Sequence, residues 1–138
     1  MISVIITTFN RAVRLKKAIQ SVLNQSYTDF ELIIVNDGSK DNTDDIVSSF
    51  KDPRIRYFKR QKNFGCDTRP KNEGIVISKG EYIAFLDDDN EYRPDHLAIL
   101  YKEITKPNPI SYINKQPTTF DVVYGDRWLI DDTKKIEP

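Results

Sequence analysis

Short, nearly unbroken apolar runs that each stop at a polar cluster constrain this chain most. Ile2-Ser3-Val4-Ile5-Ile6-Thr7, Phe30-Glu31-Leu32-Ile33-Ile34-Val35 and Tyr82-Ile83-Ala84-Phe85-Leu86 are of this kind, with a weaker run at Ile55-Arg56-Tyr57-Phe58. Runs of this length with little polar alternation read as strands buried on both faces, the pattern of a parallel sheet. Between them lie segments of helical period. Leu15, Ala18, Ile19, Val22 and Leu23 form an apolar stripe opposite Arg14, Lys16, Lys17 and Gln20. Asn10 is a fitting N-cap for that helix, which should end near residues 24–26. Ile46, Val47 and Phe50 mark a second helix, with N-cap candidates in Asp41-Asn42-Thr43.

Pro53 breaks the chain before the third strand, and a polar loop spans Lys59 to Thr68. Pro70 suits the first turn of a third helix. That helix carries Ile75, Val76 and Ile77 and should end at Gly80 as its C′ residue. Pro94 should open a fourth helix with Leu97, Leu100, Tyr101 and Ile104 as its stripe, ended by Pro107 and Pro109. Residues 106–120 read as a loop. Val122-Val123-Tyr124 and Trp128-Leu129-Ile130 read as late strands, paired across Gly125-Asp126. Strands alternating with helices predict right-handed βαβ units in one α/β domain over residues 1–138, with a mainly parallel sheet flanked by helices.

Ligands of such sheets bind at the carboxyl ends of the strands. Three polar clusters fall there: Thr8-Phe9-Asn10, Asn36-Asp37-Gly38 and Asp87-Asp88-Asp89. Three consecutive carboxylates repel one another, so water, a basic neighbour or a bound cation must offset the repulsion. A hard cation such as Mg²⁺ or Mn²⁺ prefers oxygen ligands and often takes only one or two protein carboxylates, the rest coming from phosphate and water. A solvated acidic turn is the plain alternative. Asp37 fits an Asx turn with Gly38, and that same turn could aim a carboxylate at an imide N–H. Phe9 serves either a core or a stacking surface. Lys59, Arg60, Lys62, Arg69 and Lys71 bring positive charge to loops near the same rim.

Several classes are disfavoured. Lysine plus arginine equals aspartate plus glutamate at 21 each, which argues against a nucleic-acid binder working by bulk charge. The single cysteine, Cys66, excludes an intramolecular disulfide framework and a multi-cysteine zinc site. No apolar run is long enough to span a bilayer, and no signal peptide precedes the first strand. The expected location is the cytoplasm, with peripheral membrane association left open. His96 reads as a surface residue. A Walker loop is absent, as are the dinucleotide-fold glycines after strand one. The same absence of a glycine-rich basic loop disfavours a sugar-phosphate nucleotidyltransferase.

The motifs resemble family 2 glycosyltransferases. Ser3-Val4-Ile5-Ile6-Thr7-Thr8-Phe9-Asn10-Arg11 is similar to their opening S-V-I-I-P-T-Y-N-R. Ser21 to Tyr27, Phe30 to Asp41 and Gly80 to Asp89 follow S-V-L-x-Q-T-Y, F-E-L-I-I-V-D-D-G-S-x-D and G-E-Y-I-x-F-L-D-x-D. The run Asn90-Glu91-Tyr92-Arg93-Pro94-Asp95 resembles the spore-coat polysaccharide members. The resemblance implies a GT-A fold, a nucleoside-diphosphate sugar donor (a UDP-sugar favoured), a hydroxyl acceptor such as a saccharide, a divalent metal (Mn²⁺ or Mg²⁺) and inversion at the anomeric carbon. It implies that Thr7, Thr8 and Phe9, with Asn10 beside them, hold the base, and that Asp37 bonds uracil. It further implies Asp88 on the ribose or sugar, with Asp87 behind it, and Asp89 on the metal.

Lys71 stands where the family often has arginine, keeping the charge without the bidentate fork; Arg69 could substitute. Thr7 and Asn36 depart from the usual proline and aspartate. Family members typically continue further, and that portion supplies the acceptor site and the general base. Asp126, Asp131, Asp132 and Glu137 sit in no matching motif, so the catalytic base is unassigned. A donor-binding module that works with another segment, another chain or as an oligomer is the rival expectation.

Overall fold

The structure is a computed structural model that describes residues 1–66 and 68–105, and the backbone of Ile130–Asp131 and Lys134–Lys135. The elements run β1 (Ile2–Thr8), α1 (Ala12–Leu23), β2 (Phe30–Asn36), α2 (Thr43–Ser49), β3 (Ile55–Lys59), α3 (Thr68–Ile77), β4 (Tyr82–Asp87) and α4 (His96–Ile104). Two short strands, β5 (Ile130–Asp131) and β6 (Lys134–Lys135), pair antiparallel. The strands expected at 122–124 and 128–129, and their hairpin across Gly125-Asp126, lie outside the described residues. The chain divides into two units, residues 1–95 and 96–138.

In the first unit four parallel strands lie in the order β3-β2-β1-β4. The continuously apolar runs dictate this. Val4, Ile5, Ile6, Leu32, Ile33, Ile34 and Val35 are all buried, which only a sheet covered on both faces permits. The crossover from β1 to β2 runs one way along the sheet, and that from β3 to β4 runs the other way. Right-handed crossovers in opposite directions put α1 and α3 on opposite faces. Leu15, Ala18, Ile19 and Val22 of α1 are buried as their spacing predicts.

On the other face Ile5, Ile33 and Val35 form a cluster against which Ile77 of α3 packs. Gly74 lets α3 come this close, because a Cβ there would stand 2.6 Å from Ile5 Cγ2. Ile83 and Phe85 of β4 pair in register with Ser3 and Ile5, so they point to this face too, yet both are exposed.

Four local expectations need correction. Asn10 does not cap α1: the N-cap is Arg11, without a side-chain cap bond, and the N–H of Ala12 goes instead to Asp41 Oδ2 at 3.0 Å. Val76 is 83% exposed, because three consecutive apolar residues cannot all face one side of a helix. Gly80 is not a left-handed helix terminator: α3 ends at Ile77, and among the described residues the positive-φ glycines are Gly38 and Gly65. Gly80 instead lies so close to β1 that a Cβ would stand 2.6 Å from the backbone nitrogen of Ser3. Finally, α4 begins at His96, two residues after Pro94.

Candidate functional site

The sheet order places a topological switch point between β1 and β4, where the crossovers diverge. A crevice opens outside the carboxyl ends of two such strands. Thr7 and Asp87 are register partners at that edge, and Thr8 pairs with Asn36 on the other side. The three polar clusters found in the sequence therefore meet at one rim.

The β1 arm is tied to the β2 loop. The N–H of Asp37 donates to the carbonyl of Thr8 at 2.9 Å. Asn10 adopts φ 55°, in the left-handed region where asparagine is tolerated. From there its N–H donates to Ser39 Oγ at 2.9 Å, and its Oδ1 accepts the N–H of Lys40 at 2.8 Å. Thr7 is half-buried. Thr8 is buried, and its Oγ1 has no hydrogen-bond partner. Phe9, 41% exposed, is not a core residue; its ring is open to a stacking partner.

Asp37 is buried. Its Oδ2 accepts the N–H of Phe64 at 2.9 Å, while Oδ1 lies 3.1 Å from Arg60 Nε without an aligned hydrogen bond. Gly38 makes this turn possible: its φ is +80°, and a Cβ would meet the backbone of Lys62 and Asn63 at 2.9 Å. Asn36, where the family usually has aspartate, is fully buried. Its Oδ1 accepts the N–H of Ser39 and its Nδ2 donates to the Tyr57 hydroxyl. Burial, together with Asp44 beside it, pushes the Tyr57 hydroxyl up to about 12.

The acidic strand-end is compensated by basic neighbours. Arg11 Nη1 donates to Asp88 Oδ1 at 3.0 Å and to Asp89 Oδ2 at 3.2 Å. Arg14 comes within 3.6 Å of Asp89, and Lys71 within 3.4 Å of Asp87. The hydrogen bond to Asp88 and the surrounding acids hold the Arg11 guanidinium above its ordinary pKa. Asp88 is buried, whereas Asp87 and Asp89 are open to solvent. The N–H of Asn90 closes the turn onto the carbonyl of Asp87 at 3.1 Å. Beyond it, Tyr92 donates its N–H to Ser21 Oγ and its hydroxyl to the carbonyl of Phe85.

Lys71 thus joins the acids at the rim. Arg69 does not: its guanidinium lies 3.8 Å from the centroid of the Phe64 ring, with Arg60 at 4.8 Å from the same ring. Lys59 is taken up by Asp44, and Arg60 also binds Glu73 at 2.6 Å. Sequence reading missed Arg11 as the partner of the acids, Arg60 as the partner of Asp37, and Phe64. Arg60 was legible only as one of several basic residues near the rim, and Arg11 only as the first basic residue after a strand end.

Among the described residues, no three His, Cys, Asp or Glu side chains converge into a ready-made metal cage. Asp88 and Asp89 do supply hard oxygen donors at the rim, which suits a divalent cation completed by phosphate and water. Asp126, Asp132 and Glu137 lie outside the described residues, as does the side chain of Asp131. Among the described residues no helix is long and apolar enough to cross a membrane. Cys66 is free and exposed.

The family model described as "Glycosyl transferase family 2" matches residues 3–136. The GalNAc(5)-diNAcBac-PP-undecaprenol beta-1,3-glucosyltransferase of Campylobacter jejuni is 40% identical over 104 residues, which are 74% of this chain and 34% of that protein. The crystal structure of S. aureus TarS 1-349 in complex with UDP-GlcNAc superposes with a TM-score of 0.72 at 25% identity, covering 75% of this chain and 30% of the other. The mannosyltransferase PcManGT from Pyrobaculum calidifontis, in complex with GDP-Man and Mn²⁺, shares the fold with a TM-score of 0.70 at 22% identity, over 77% of this chain and 32% of the other. The chain spans between 20% and 41% of the first curated relatives it matches.

Proposed function

The chain belongs to glycosyltransferase family 2 and has its GT-A fold, and we propose that it binds a uridine diphosphate sugar and serves an inverting, metal-dependent transfer of that sugar to an acceptor hydroxyl. The observation that carries this reading is the convergence of exposed Phe9, buried Asp37 and the acids 87–89 on the β1–β4 switch point. The likeness to TarS in complex with UDP-GlcNAc supports uridine as the base.

Phe9 stacks on the base, with Thr7, Thr8 and Asn10 forming the arm beneath it. Asp37, buried at the turn after β2, accepts the imide N–H. Asp88, held rigid by its burial, accepts from the ribose or sugar hydroxyls, with Asp87 behind it. Lys71, near the start of α3, neutralises the diphosphate. Asp89 holds the cation. A divalent ion bound there would supply charge stabilisation of the leaving diphosphate. Attack by the acceptor oxygen from the opposite face inverts the anomeric centre, with a carboxylate base taking its proton.

Calorimetric titration with UDP in the presence of Mn²⁺ tests the reading: saturable binding is expected, and its absence overturns it. A donor-binding module without turnover is the second reading. Metal-dependent hydrolysis of a UDP-sugar, abolished by Asp89→Ala, separates the two.

A further inference from the structure

One side chain, Arg11, contacts both of the acids assigned above to donor and cation. It does so through one atom: Nη1 is 3.0 Å from Asp88 Oδ1 and 3.2 Å from Asp89 Oδ2. Arg14 reaches Asp89 at 3.6 Å, and Lys71 reaches Asp87. A divalent ion held by Asp89 would therefore meet a guanidinium already hydrogen-bonded to the same oxygen. Like charges at that spacing exclude one another. We propose that Arg11 is the resident counter-ion of the acidic rim, and that a divalent cation loads by displacing it. The choice of Asp89 as the loading site rests on the reading under Proposed function.

Exposure supports an exchange. The Arg11 side chain is 50% exposed, so its guanidinium can turn into water at little cost. The Asp88 side chain is only 6% exposed, and a buried carboxylate is costly without a counter-charge. Arg11 therefore leaves when another cation arrives, and stays otherwise. Because a single Nη1 serves both acids, one rotamer change withdraws Arg11 from both.

The proposal predicts that metal alone binds weakly to the wild type. Mn²⁺ titrations followed by electron paramagnetic resonance, without nucleotide, compare wild type, Arg11→Gln and Arg11→Gln/Asp89→Asn. Arg11→Gln should bind Mn²⁺ about tenfold more tightly than wild type, and the double variant should lose that gain. Equal or weaker binding by Arg11→Gln overturns the proposal. A second measurement uses the wild type alone. Saturating Mg²⁺ should shift the Arg11 Nε resonance by NMR more than that of Arg14; an unchanged Arg11 signal at saturation also overturns it. The metal titration contains no nucleotide. If Arg11→Gln gains Mn²⁺ affinity but neither protein binds UDP at saturating Mn²⁺, the counter-ion role stands and the donor reading falls.

Discussion

Arg60 Nε stands 3.1 Å from Asp37 Oδ1, and neither atom makes an aligned hydrogen bond. The guanidinium is turned toward Glu73, which its Nη1 meets at 2.6 Å. Asp37 thus has its charge balanced while one acceptor position stays unfilled. Under the proposed function this carboxylate accepts the imide N–H of the base. Asp37→Ala should weaken UDP binding by roughly ten- to a hundredfold, from the loss of a hydrogen bond to a charged acceptor worth about 1.5–3 kcal/mol. Calorimetry with UDP and Mn²⁺ checks this, and unchanged affinity would remove Asp37 from the base pocket.

At the opposite end of the sheet, Glu31 is buried and fully engaged. Its Oε1 accepts from Ser3 Oγ and the N–H of Lys79, both at 2.6 Å, and its Oε2 from Arg56 at 2.7 Å. Burial alone would raise its pKa, but the hydrogen bonds from Ser3, Arg56 and Lys79 outweigh that and hold it below the ordinary 4.5. A depressed folded pKa gives stability that is complete above the unfolded value and is lost as pH falls through the folded one. The advantage of wild type over Glu31→Gln should be full at pH 7 and shrink below about pH 4.5. Urea midpoints across that range measure it. Removing the carboxylate with Glu31→Ala should cost about 3 kcal/mol at pH 7, since Arg56 is left uncompensated.

Gly80→Ala tests the close approach of the β4 entry to β1. Its methyl would overlap backbone and Oγ of Ser3, so a loss of about 1–3 kcal/mol is expected from overpacking. It should also break the bond in which the N–H of Gly80 donates to Ser3 Oγ at 2.8 Å. Thermal unfolding reads this, and a neutral result would mean that the strand entry is loose.

Asp41 links two helices. Oδ2 receives the N–H of Ala12 at the start of α1, and Oδ1 receives the N–H and hydroxyl of Thr43 at the start of α2. Asp41→Ala removes both, and its expected cost is about 1–2 kcal/mol, the upper range for a helix cap. Asp41→Asn should recover part of that loss in the same urea titration, because it keeps the acceptor oxygen.

Residue order alone made the sheet and its rim legible, but not the pairings across it. The four apolar runs predict β1 to β4, and each observed strand runs one residue further, into Thr8, Asn36, Lys59 and Asp87. The ladder continues there because it is made by backbone, which does not register where side chains turn polar. The acids 87–89 demand compensation by simple repulsion, yet Arg11 is 77 residues away from Asp88. Charge pattern names the need, and only the fold names the partner. The network of Glu31, Ser3 and Arg56 was equally hidden, because serine and glutamate inside apolar runs give no local sign of meeting. Helical period failed at Val76, where the apolar run has no period to read.

The left-handed turn at Asn10 has a thermodynamic consequence. With its N–H on Ser39, its Oδ1 on Lys40 and Ala12 held by Asp41, the arm after β1 is already ordered before any ligand arrives. The conformational entropy of that wall is lost during folding rather than during association. A ligand entering beside Phe9 meets a surface that needs no ordering there, so more of its contact energy is left for affinity.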